Sequence, residues 1–420
     1  MPRITASKIV LLFTFSFFVT VFYHSLIQDS RPNENDFHSL PVNIENRAFR
    51  RLPDAAPDSF QNRVQFLRVD DEAYAFSAFT DDRDGNMGYK YVRIPILITQ
   101  NERFSCEING KASTDVTLYE FSENHGKKWQ LFILNCKLPS GIAFNDVNSV
   151  TVCRNSSGNT VKVPIRYRIQ DEKSKTTKEY GYKMSICVPA LFGNRYNAKR
   201  LIEFIELNSL QGIEKIYIYY NPKEINDKTV IKTLQHYSNI NKVNLIEFAL
   251  PFFNDDVWYH GQLAAITDCL LQNTGITQYT FFNDIDEFFV PVLRNQTLLH
   301  ILDGLFNNEA IGSQRIALKY ISTKVNQAPY TLNNVVSTKW LETRFTKCVV
   351  RPEMVFEQGI HHTSRVINDN YQTAIHNGSL LRVYHYKEPK YCCEDEGILR
   401  KRYGERLKEK FNSVIALLEV

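Results

Sequence analysis

The chain has 420 residues, of which 43% are hydrophobic and 23% are charged, as in ordinary globular proteins. This length is enough for roughly two or three domains. The net charge is only +4, and the basic residues are dispersed apart from two short runs at 400–402 and 406–410. Such runs are typical of the solvated face of a helix, so a nucleic-acid partner is not expected.

An apolar, uncharged stretch near the amino end covers residues 9–27. It just reaches the length of about 20 residues that a helix needs to cross a bilayer. Arg3 and Lys8 precede it, which favours a cytoplasmic amino end and a lumenal remainder. We therefore predict a cytoplasmic tail over residues 1–8, a single transmembrane signal anchor over 9–27 and a flexible polar stem over 28–60. A cleaved signal peptide is the alternative, but no convincing small-residue cleavage site follows the stretch.

The cysteines agree with a lumenal location. All eight lie beyond the apolar stretch, and an even number in an oxidising compartment suggests disulfides, although the sequence does not fix their pairing. The adjacent Cys392 and Cys393 are expected to pair with two different partners. Glycosylation triplets that begin at Asn155, Asn295 and Asn377 also suit a chain in the secretory pathway.

The segment from residue 61 to residue 175 is rich in short β-type runs. Turn residues such as Asn109-Gly110 separate these runs. The pattern predicts a small antiparallel β domain of the sandwich type. The charged and polar residues 171–179 follow it and predict a linker.

From residue 180 to residue 420 the pattern changes to an α/β fold. Strand-like and helix-like segments alternate, which predicts a mostly parallel sheet flanked by helices. The predicted strands are 184–189, 216–220 and 243–250, and the predicted helices are 197–210, 229–237 and 262–272. The strand that follows leads to a group of acidic residues, which therefore fall at the carboxyl edge of the sheet, where open α/β sheets bind ligands.

This acidic group consists of Asp284, Asp286 and Glu287 within an aromatic run. On an extended segment the side chains of Asp284 and Asp286 would share one face, with Ile285 on the other. Unpaired charge in an apolar setting is costly, so the acids need a compensating partner. A divalent cation that itself holds a diphosphate is the most economical partner. A charged loop paired with nearby Arg or Lys is the alternative.

Histidine could complete such a metal site. Two carboxylates and a diphosphate leave room for another protein ligand, and imidazole suits manganese better than magnesium. His385 is the first candidate, because the end of its predicted strand can bring it beside Asp286, and His362 is the second. For each histidine the alternative is a hydrogen-bonded core residue.

A site for a metal and a diphosphate makes the chain a candidate sugar-nucleotide enzyme, and an inverting transferase of this kind needs a base that takes the proton of the acceptor hydroxyl. Glu353, Glu342 and His361 are the candidates. The alternative for them is a surface group paired with Arg351 or Lys347. On the donor side, Trp258 and Gln262 could stack on and bind a sugar or nucleobase, although Trp258 could equally pack in the core.

Several catalytic signatures are absent from the chain. It contains no Walker-type phosphate loop, no Gly-x-Gly-x-x-Gly, no Gly-x-Ser-x-Gly elbow and no His-Glu-x-x-His. Kinase, dehydrogenase and hydrolase functions are therefore disfavoured.

An ordered set of motifs over roughly residues 180 to 410 resembles family 92 glycosyltransferases. No single motif is specific, but the order of the set is. The motifs are Cys187-Val-Pro-Ala-Leu-Phe-Gly, Leu201-Ile-Glu-Phe-Ile-Glu-Leu, Gly212-Ile-Glu-Lys-Ile-Tyr-Ile-Tyr-Tyr-Asn221, Phe282-Asn-Asp-Ile-Asp-Glu-Phe, Arg351-Pro-Glu353, His361-His362 and His385-Tyr386. The first ten residues are also similar to those of a member of this family that galactosylates the core fucose of N-glycans.

The resemblance implies a GT-A fold, a UDP-galactose donor, a Mn2+ ion, inversion to a β-1,4 linkage and a type II protein of the Golgi membrane. It also implies a fucosylated N-glycan as the acceptor. By position, Asp284 would face the ribose and the metal, and Asp286 would bind the metal directly. We also assign Pro189 and Arg195 to donor binding, together with Trp258, Gln262 and Asp284.

Two other functions stay open at this point. One is a membrane-tethered carbohydrate-binding protein without catalysis, in which the β-rich segment would act as a lectin. The other is a transferase of the same fold that uses another donor or retains the stereochemistry. Donor hydrolysis would exclude the first, and analysis of the product by NMR would separate the second.

Overall fold

The computed structural model describes residues 63–83, 90–169, 180–193, 195–389 and 394–420. The predicted tail, signal anchor and stem lie outside the described residues, and so do the predicted linker and the Cys392-Cys393 pair. Within the described ranges, no helix combines the length and the apolar character that a membrane span requires.

The described part of the β-rich segment is built from short strands. They are β1 (Leu67–Asp70), β2 (Ala73–Ala75), β3 (Phe79–Asp81), β4 (Tyr91–Ile98), β5 (Phe104–Ile108), β6 (Lys111–Ala112), β7 (Val116–Glu120), β8 (Gln130–Lys137), β9 (Ser149–Arg154), β10 (Thr160–Pro164) and β11 (Tyr167–Ile169).

These strands form two sheets that share a hydrophobic core. The larger sheet has the order β1-β2-β4-β3-β11, with β8 beside β4 and β7 beside β8, and the smaller has the order β10-β9-β5-β6. Strand β5 shows the underlying pattern, because Phe104, Cys106 and Ile108 are buried and alternate with exposed residues. A disulfide between Cys106 and Cys136 joins β5 to β8, and so joins the two sheets.

The rest of the chain combines helices with a second, larger set of strands. The strands are β12 (Tyr182–Leu191), β13 (Lys215–Tyr220), β14 (Val243–Glu247), β15 (Thr277–Phe282), β16 (Glu287–Pro291), β17 (Ile311–Ile321), β18 (Val336–Ser337), β19 (Glu342–Val350), β20 (Val355–Gln358), β21 (Thr363–Val366), β22 (Gln372–His376), β23 (Leu381–Tyr386) and β24 (Glu394–Asp395). The helices are α1 (Ala198–Leu210), α2 (Lys228–Asn239), α3 (Gln262–Asn273), α4 (Leu298–Leu305), α5 (Tyr330–Asn333) and α6 (Ile398–Leu418).

Local sequence accounts for the start and end of the first helix. The side chain of Asn197 accepts a hydrogen bond from the backbone N–H of Arg200 at 2.8 Å, which caps the amino end of α1. Gly212 follows the helix with φ of 95°, a backbone conformation that residues with a Cβ rarely adopt. The predicted helices 197–210, 229–237 and 262–272 are confirmed as α1, α2 and α3.

Strands β14, β13, β12 and β15 lie side by side and all their pairings are parallel. Helices α1, α2 and α3 make the crossovers between them, as parallel neighbours require. Beyond β15 the sheet is mixed, because β19 is antiparallel to both β15 and β17, whereas β22 and β23 are parallel to β17. The α/β class is confirmed, but only the pairings among β14, β13, β12 and β15 are parallel throughout.

The β-rich segment is packed against the α/β part through buried polar contacts. Asp268 of α3 accepts hydrogen bonds from the hydroxyls of Ser77 and Tyr167, at 2.5 and 3.0 Å. Arg83 donates to the carbonyl oxygens of Glu353 and Val355, at 3.2 and 3.3 Å. The two parts therefore support each other directly.

A second disulfide, between Cys187 and Cys269, ties β12 to α3. Among the described cysteines, Cys153 and Cys348 are free. The Cys187–Cys269 disulfide therefore holds a helix to the sheet that leads to the acidic residues, and the Cys106–Cys136 disulfide lies inside the β-rich segment.

Candidate functional site

Asp284 and Asp286 lie between β15 and β16, and Glu287 is the first residue of β16, at the carboxyl edge of the parallel strands. Together these three residues form what we call the acidic turn. The side-chain amide of Asn283 donates to the carbonyl oxygens of Asp284 and Glu287, at 3.2 and 2.8 Å. The N–H of Glu287 donates to the carbonyl oxygen of Asp284 at 3.1 Å. Asp284 and Asp286 thus belong to a turn and not to an extended strand, so the predicted strand alternation of their side chains is wrong.

Lys347 of β19 compensates two of the three acids. Its Nζ lies 2.9 Å from Oδ2 of Asp284 and 3.0 Å from Oε2 of Glu287. The lysine side chain is only 3% exposed. Burial by itself would lower the pKa of Lys347, but the two carboxylates outweigh burial and raise the pKa above its ordinary value. The pairing of Asp284 and Glu287 with a nearby lysine is the alternative that the sequence left open for the acidic group.

Lys347 was detectable in the sequence as a charged residue in an otherwise apolar run. The four residues that end β19, from Lys347 to Val350, are all buried, and Lys347 is the charged one among them. A buried lysine needs an acidic partner, and the acidic turn is the partner that the fold provides.

His385 stands beside the acidic turn because β23 pairs with β16. In this antiparallel register His385 is directly opposite Glu287. Nδ1 of the imidazole lies 3.4 Å from Oε1 of Glu287, and Nε2 lies 3.6 Å from Oδ2 of Asp286. The structure therefore brings His385 and Asp286 together, as predicted from the position of His385 at the end of its strand.

The ionisation of these groups follows from burial and from each other. Burial opposes ionisation of Asp286, but the hydrogen bond and charge of His385 hold its pKa below the ordinary value. Burial likewise opposes protonation of His385, yet Asp286 and Glu287 raise its pKa. Glu287 is different, since burial raises its pKa in spite of Lys347.

The arrangement suits a cation bound through Asp286 and His385. A histidine that binds a metal usually directs its other ring nitrogen at a carboxylate, as Nδ1 of His385 does toward Glu287. The side chains of Asp286 and Asp284 are 37% and 41% exposed, so their oxygens remain accessible. Within the described residues, no group of three or more His, Cys, Asp or Glu could enclose a metal ion. A cation here would therefore need further oxygen ligands from a diphosphate and from water.

His362 and His361 occupy the turn between β20 and β21. His362 lies beside other partners, with Nδ1 3.3 Å from Oε1 of Glu123 and Nε2 3.3 Å from Oγ of Ser364. The structure therefore places His362 with the β-rich segment and not with Asp286. Nδ1 of His361 is 3.2 Å from the carbonyl oxygen of Thr346.

The pKa of His361 is lowered to about 4, first by burial and then by the charge of Lys347, with Asp284 acting in the opposite direction. The contact of its ring with Thr346, the residue before Lys347, places His361 near the acidic turn. Its imidazole is neutral at neutral pH and can accept a proton.

Glu353 lies at the opposite edge of the sheet. Val350 of β19 is opposite Thr280 of β15 in an antiparallel register, so the chain beyond Val350 leads away from the acidic turn. Glu353 accepts a hydrogen bond from the hydroxyl of Tyr180, which precedes β12, at 2.5 Å. The assignment of Glu353 as the base therefore needs correction, because strand direction separates it from the site.

Glu342, at the other end of β19, lies near the acidic edge. It is paired with Arg344 at 3.3 Å, and that partner lowers its pKa. Burial raises the pKa of Tyr320, and the charges of Glu342 and Glu287 raise it further. Tyr320 is opposite His385 in the sheet. Glu342 therefore remains a candidate for the base.

The residues that are predicted to bind the donor lie around the carboxyl end of β12 and the start of α3. Pro189 is buried within β12, and Gln262 is the first residue of α3. The guanidinium of Arg195 lies 4.9 Å from the ring centroid of Phe192. Trp258 packs against His125 of the β-rich segment, with ring centroids 4.1 Å apart. His125 is exposed and Trp258 is half-buried, so this contact does not place Trp258 in the core, and its assignment to the donor stays a prediction.

One aromatic contact and one tyrosine at this edge are not among the residues predicted from the sequence. The ring of His260 stacks on Phe192 at 3.7 Å between centroids. Burial and the charges of Asp284 and Asp286 raise the pKa of Tyr196, so this tyrosine lies near the acidic turn. The sequence offered one signal for Tyr196. It stands directly before Asn197, the capping residue of α1, on the connection from β12 to that helix.

Comparisons with known proteins agree with the motifs. The "Glycosyltransferase family 92" model matches residues 182–415, which is more than half of the chain. The "Beta-1,4-galactosyltransferase galt-1" of Caenorhabditis elegans is 64% identical over 100% of both chains. The "Galactan beta-1,4-galactosyltransferase GALS3" of Arabidopsis thaliana is 25% identical over 62% of this chain and 55% of its own. No solved structure is significantly similar.

Proposed function

Because the chain belongs to glycosyltransferase family 92, we propose that it transfers galactose from UDP-galactose to a glycan acceptor and forms a β-1,4 linkage with inversion. The end-to-end identity of 64% with a β-1,4-galactosyltransferase supports galactose as the transferred sugar and the β-1,4 linkage. The core fucose of N-glycans is the proposed acceptor. A GT-A arrangement is part of the proposal, since four parallel strands carry the acidic turn at their carboxyl edge.

The observation that carries the proposal is the pairing of Asp286 with His385 at an exposed acidic turn. We assign Asp286 and His385 as the ligands of a Mn2+ ion. When bound, this ion would neutralise charge on the departing diphosphate. Glu287 orients the imidazole through Nδ1, and Lys347 keeps the carboxylates of Asp284 and Glu287 in place.

The remaining requirement is a base for the acceptor hydroxyl. We assign His361 as the first candidate, since it is neutral at neutral pH and near the acidic turn. Glu342 is the second, and its ion pair with Arg344 keeps it ionised. The variants His361→Ala and Glu342→Gln distinguish the two candidates. The variant that lacks the base should have a lower kcat but should still bind the donor.

The Golgi membrane is the proposed location of the protein. The apolar stretch 9–27 and the glycosylation triplets support a type II protein with a lumenal catalytic part. Fluorescence microscopy of a tagged full chain against a Golgi marker would test this location.

Transfer from labelled UDP-galactose to a fucosylated acceptor, with and without Mn2+, tests the function. We expect transfer that requires the metal, and a loss of roughly 100-fold or more in Asp286→Ala. Asp369→Asn, which changes an exposed aspartate away from the acidic turn, is the matched control and should transfer like the parent. Full activity of Asp286→Ala would contradict the metal assignment, and donor binding without turnover would favour a carbohydrate-binding protein.

A further inference from the structure

Strand β19 carries a large bulge at the acidic edge of the sheet. Ile316 of β17 is opposite Lys347, and Leu318 of β17 is opposite Glu342. Between these two pairs, one residue of β17 faces four residues of β19, 343–346. Bulges are common beside active sites, where they turn side chains away from the regular sheet. Since Lys347 contacts the acidic turn, the bulge lies directly beside that turn.

Side-chain hydrogen bonds hold both ends of this bulge. Oε1 of Glu342 accepts from the backbone N–H of Arg344 at 2.7 Å. At the other end, Oγ1 of Thr346 donates to the carbonyl oxygen of His361 at 2.6 Å. Phe345 lies between these two anchored positions, so its backbone is preorganised for a contact with a ligand.

Phe345 is 49% exposed in spite of its large apolar side chain. Its ring centroid lies 5.4 Å from that of His361, with 69° between the ring planes. The guanidinium of Arg344 lies 5.8 Å from the same ring and is paired with Glu342 at 3.3 Å. Single exposed apolar residues are ordinary on protein surfaces, but this one lies in a bulge beside a candidate base. Phe345 therefore gives the site an apolar surface that a ligand can cover.

The strand order separates this bulge from the residues that are predicted to bind the donor. Strand β15, which leads into the acidic turn, lies between β12 and β19. The predicted donor residues lie around the carboxyl end of β12 and the start of α3. The bulge of β19 is therefore on the other side of the acidic turn, where a donor held beside β12 leaves room for the acceptor.

The chemistry of Phe345 selects the kind of ligand. The apolar face of a neutral sugar ring packs on an aromatic side chain and leaves the hydroxyl groups free for hydrogen bonds. Fucose suits such a surface, because a methyl group takes the place of a hydroxymethyl group. We propose that the acceptor sugar packs on Phe345, which directs one of its hydroxyls toward His361 and the acidic turn. This inference rests on the proposed function, and Phe345 itself takes no part in bond formation.

Steady-state kinetics of the full-length protein test this role. Phe345→Ala should raise the KM for the fucosylated acceptor by roughly tenfold or more, because the apolar contact is lost. The KM for UDP-galactose should stay like that of the parent. Phe345→Tyr keeps the ring, so its KM for the acceptor should be close to that of the parent.

Ile240→Ala is the matched control. Ile240 is also 49% exposed, but it follows α2 on the way to the amino end of β14. Because β14 is parallel to its neighbour β13, that end is at the edge of the sheet opposite the acidic turn. This variant should have the KM values of the parent for both substrates.

Binding of a methyl fucoside, followed by ligand-observed NMR, gives a readout that needs no transfer. We expect saturable binding to the parent, to Phe345→Tyr and to Ile240→Ala. Binding to Phe345→Ala should be weaker by roughly tenfold or more. A parent that does not bind the fucoside, or equal binding by Phe345→Ala, would overturn the proposal.

The two readouts keep this inference distinct from the proposed function. A protein that transfers galactose with the same acceptor KM in the parent and in Phe345→Ala overturns only the role of Phe345. One that binds the fucoside through Phe345 but transfers no galactose overturns only the proposed function.

Discussion

Asp268 and Asp286 are aspartates of the same α/β part, but their surroundings differ completely. The carboxylate of Asp268 is fully buried and accepts four hydrogen bonds, two at each oxygen, from Ser77, Tyr167, Tyr219 and Gln272. Asp286 is 37% exposed and has His385 as its neighbour at 3.6 Å. A saturated carboxylate has no acceptor capacity left for a ligand, whereas Asp286 keeps most of its own.

This difference separates a structural acid from the acids that we propose as part of the active site. Asp268 joins α3 to the β-rich segment and to β13, so its hydrogen bonds hold the architecture together. Asp284 and Asp286 stand at the end of a strand with only part of their charge compensated. Their remaining acceptor capacity is what a bound ligand would need, and this supports the proposed site.

The largest expected effect on stability is that of Asp268→Ala. The change leaves the buried hydroxyl and amide donors without an acceptor, and it leaves Arg166 without the charge 3.7 Å away. We expect the free energy of unfolding to fall by about 3 to 5 kcal/mol, measured by urea denaturation. Activity per folded molecule should stay near that of the parent. A variant as stable as the parent would contradict the structural role of Asp268.

Glu287→Gln tests the other side of the comparison. The carboxylate of Glu287 orients His385 and pairs with Lys347, so its loss should lower the affinity for Mn2+ by about 10- to 100-fold, measured by calorimetry. Glu396→Gln is the matched control, because Glu396 is also a buried glutamate paired with a lysine, Lys319. That control should lose stability without losing metal affinity. Equal loss of metal affinity in both variants would mean that the effect of Glu287 is only structural.

Tyr219→Phe measures one hydrogen bond of the saturated cluster. The hydroxyl of Tyr219 donates to Asp268 at 2.7 Å, while Ser77, Tyr167 and Gln272 remain as donors. We expect the free energy of unfolding to fall by about 1 kcal/mol. The midpoint of urea denaturation provides the measurement, and it remains informative if Asp268→Ala fails to fold. A loss as large as that of Asp268→Ala would show that the hydroxyl of Tyr219 accounts for most of the stability that this cluster provides.

The sequence predicted those parts of the fold and site that depend on short-range patterns. Alternating strands and helices gave the parallel strands β12 to β15, and the acidic turn was expected at their carboxyl edge. The position of His385 at the end of a strand predicts that it can reach Asp286, and the structure brings the two side chains together. Each of these inferences needs only local periodicity and the rule that parallel strands end at one edge.

The direction of β19 was not readable from the sequence. Because β19 is antiparallel to β15, Lys347 lies beside the acidic turn while Glu353 lies at the opposite edge. The pairing joins segments more than sixty residues apart, as in Phe282 opposite Cys348, and local propensity carries no information on such a choice. His362 was misplaced for a similar reason, since its partner Glu123 belongs to the β-rich segment.

The smallest expected effect on stability is that of His376. This residue is a third kind of buried polar group, because its side chain is neutral and its one acceptor nitrogen is already used. Its Nε2 accepts hydrogen bonds from the backbone N–H groups of Leu380 and Leu381, at 3.1 and 3.2 Å. Burial lowers the pKa of His376 below its ordinary value. The unfolded chain therefore binds a proton at this residue more readily than the folded chain.

The resulting stability is fully present above the unfolded pKa of about 6.5 and is lost as the pH falls below it. We expect the parent to lose more stability than His376→Asn when the pH is lowered from about 7.5 to about 5.5, measured as the shift in the urea midpoint. Since the other histidines titrate in both proteins, the difference between the two shifts isolates His376. Equal shifts would mean that His376 is as readily protonated in the folded chain as in water. The acceptor role of Nε2 toward Leu380 and Leu381 would then contribute nothing to stability.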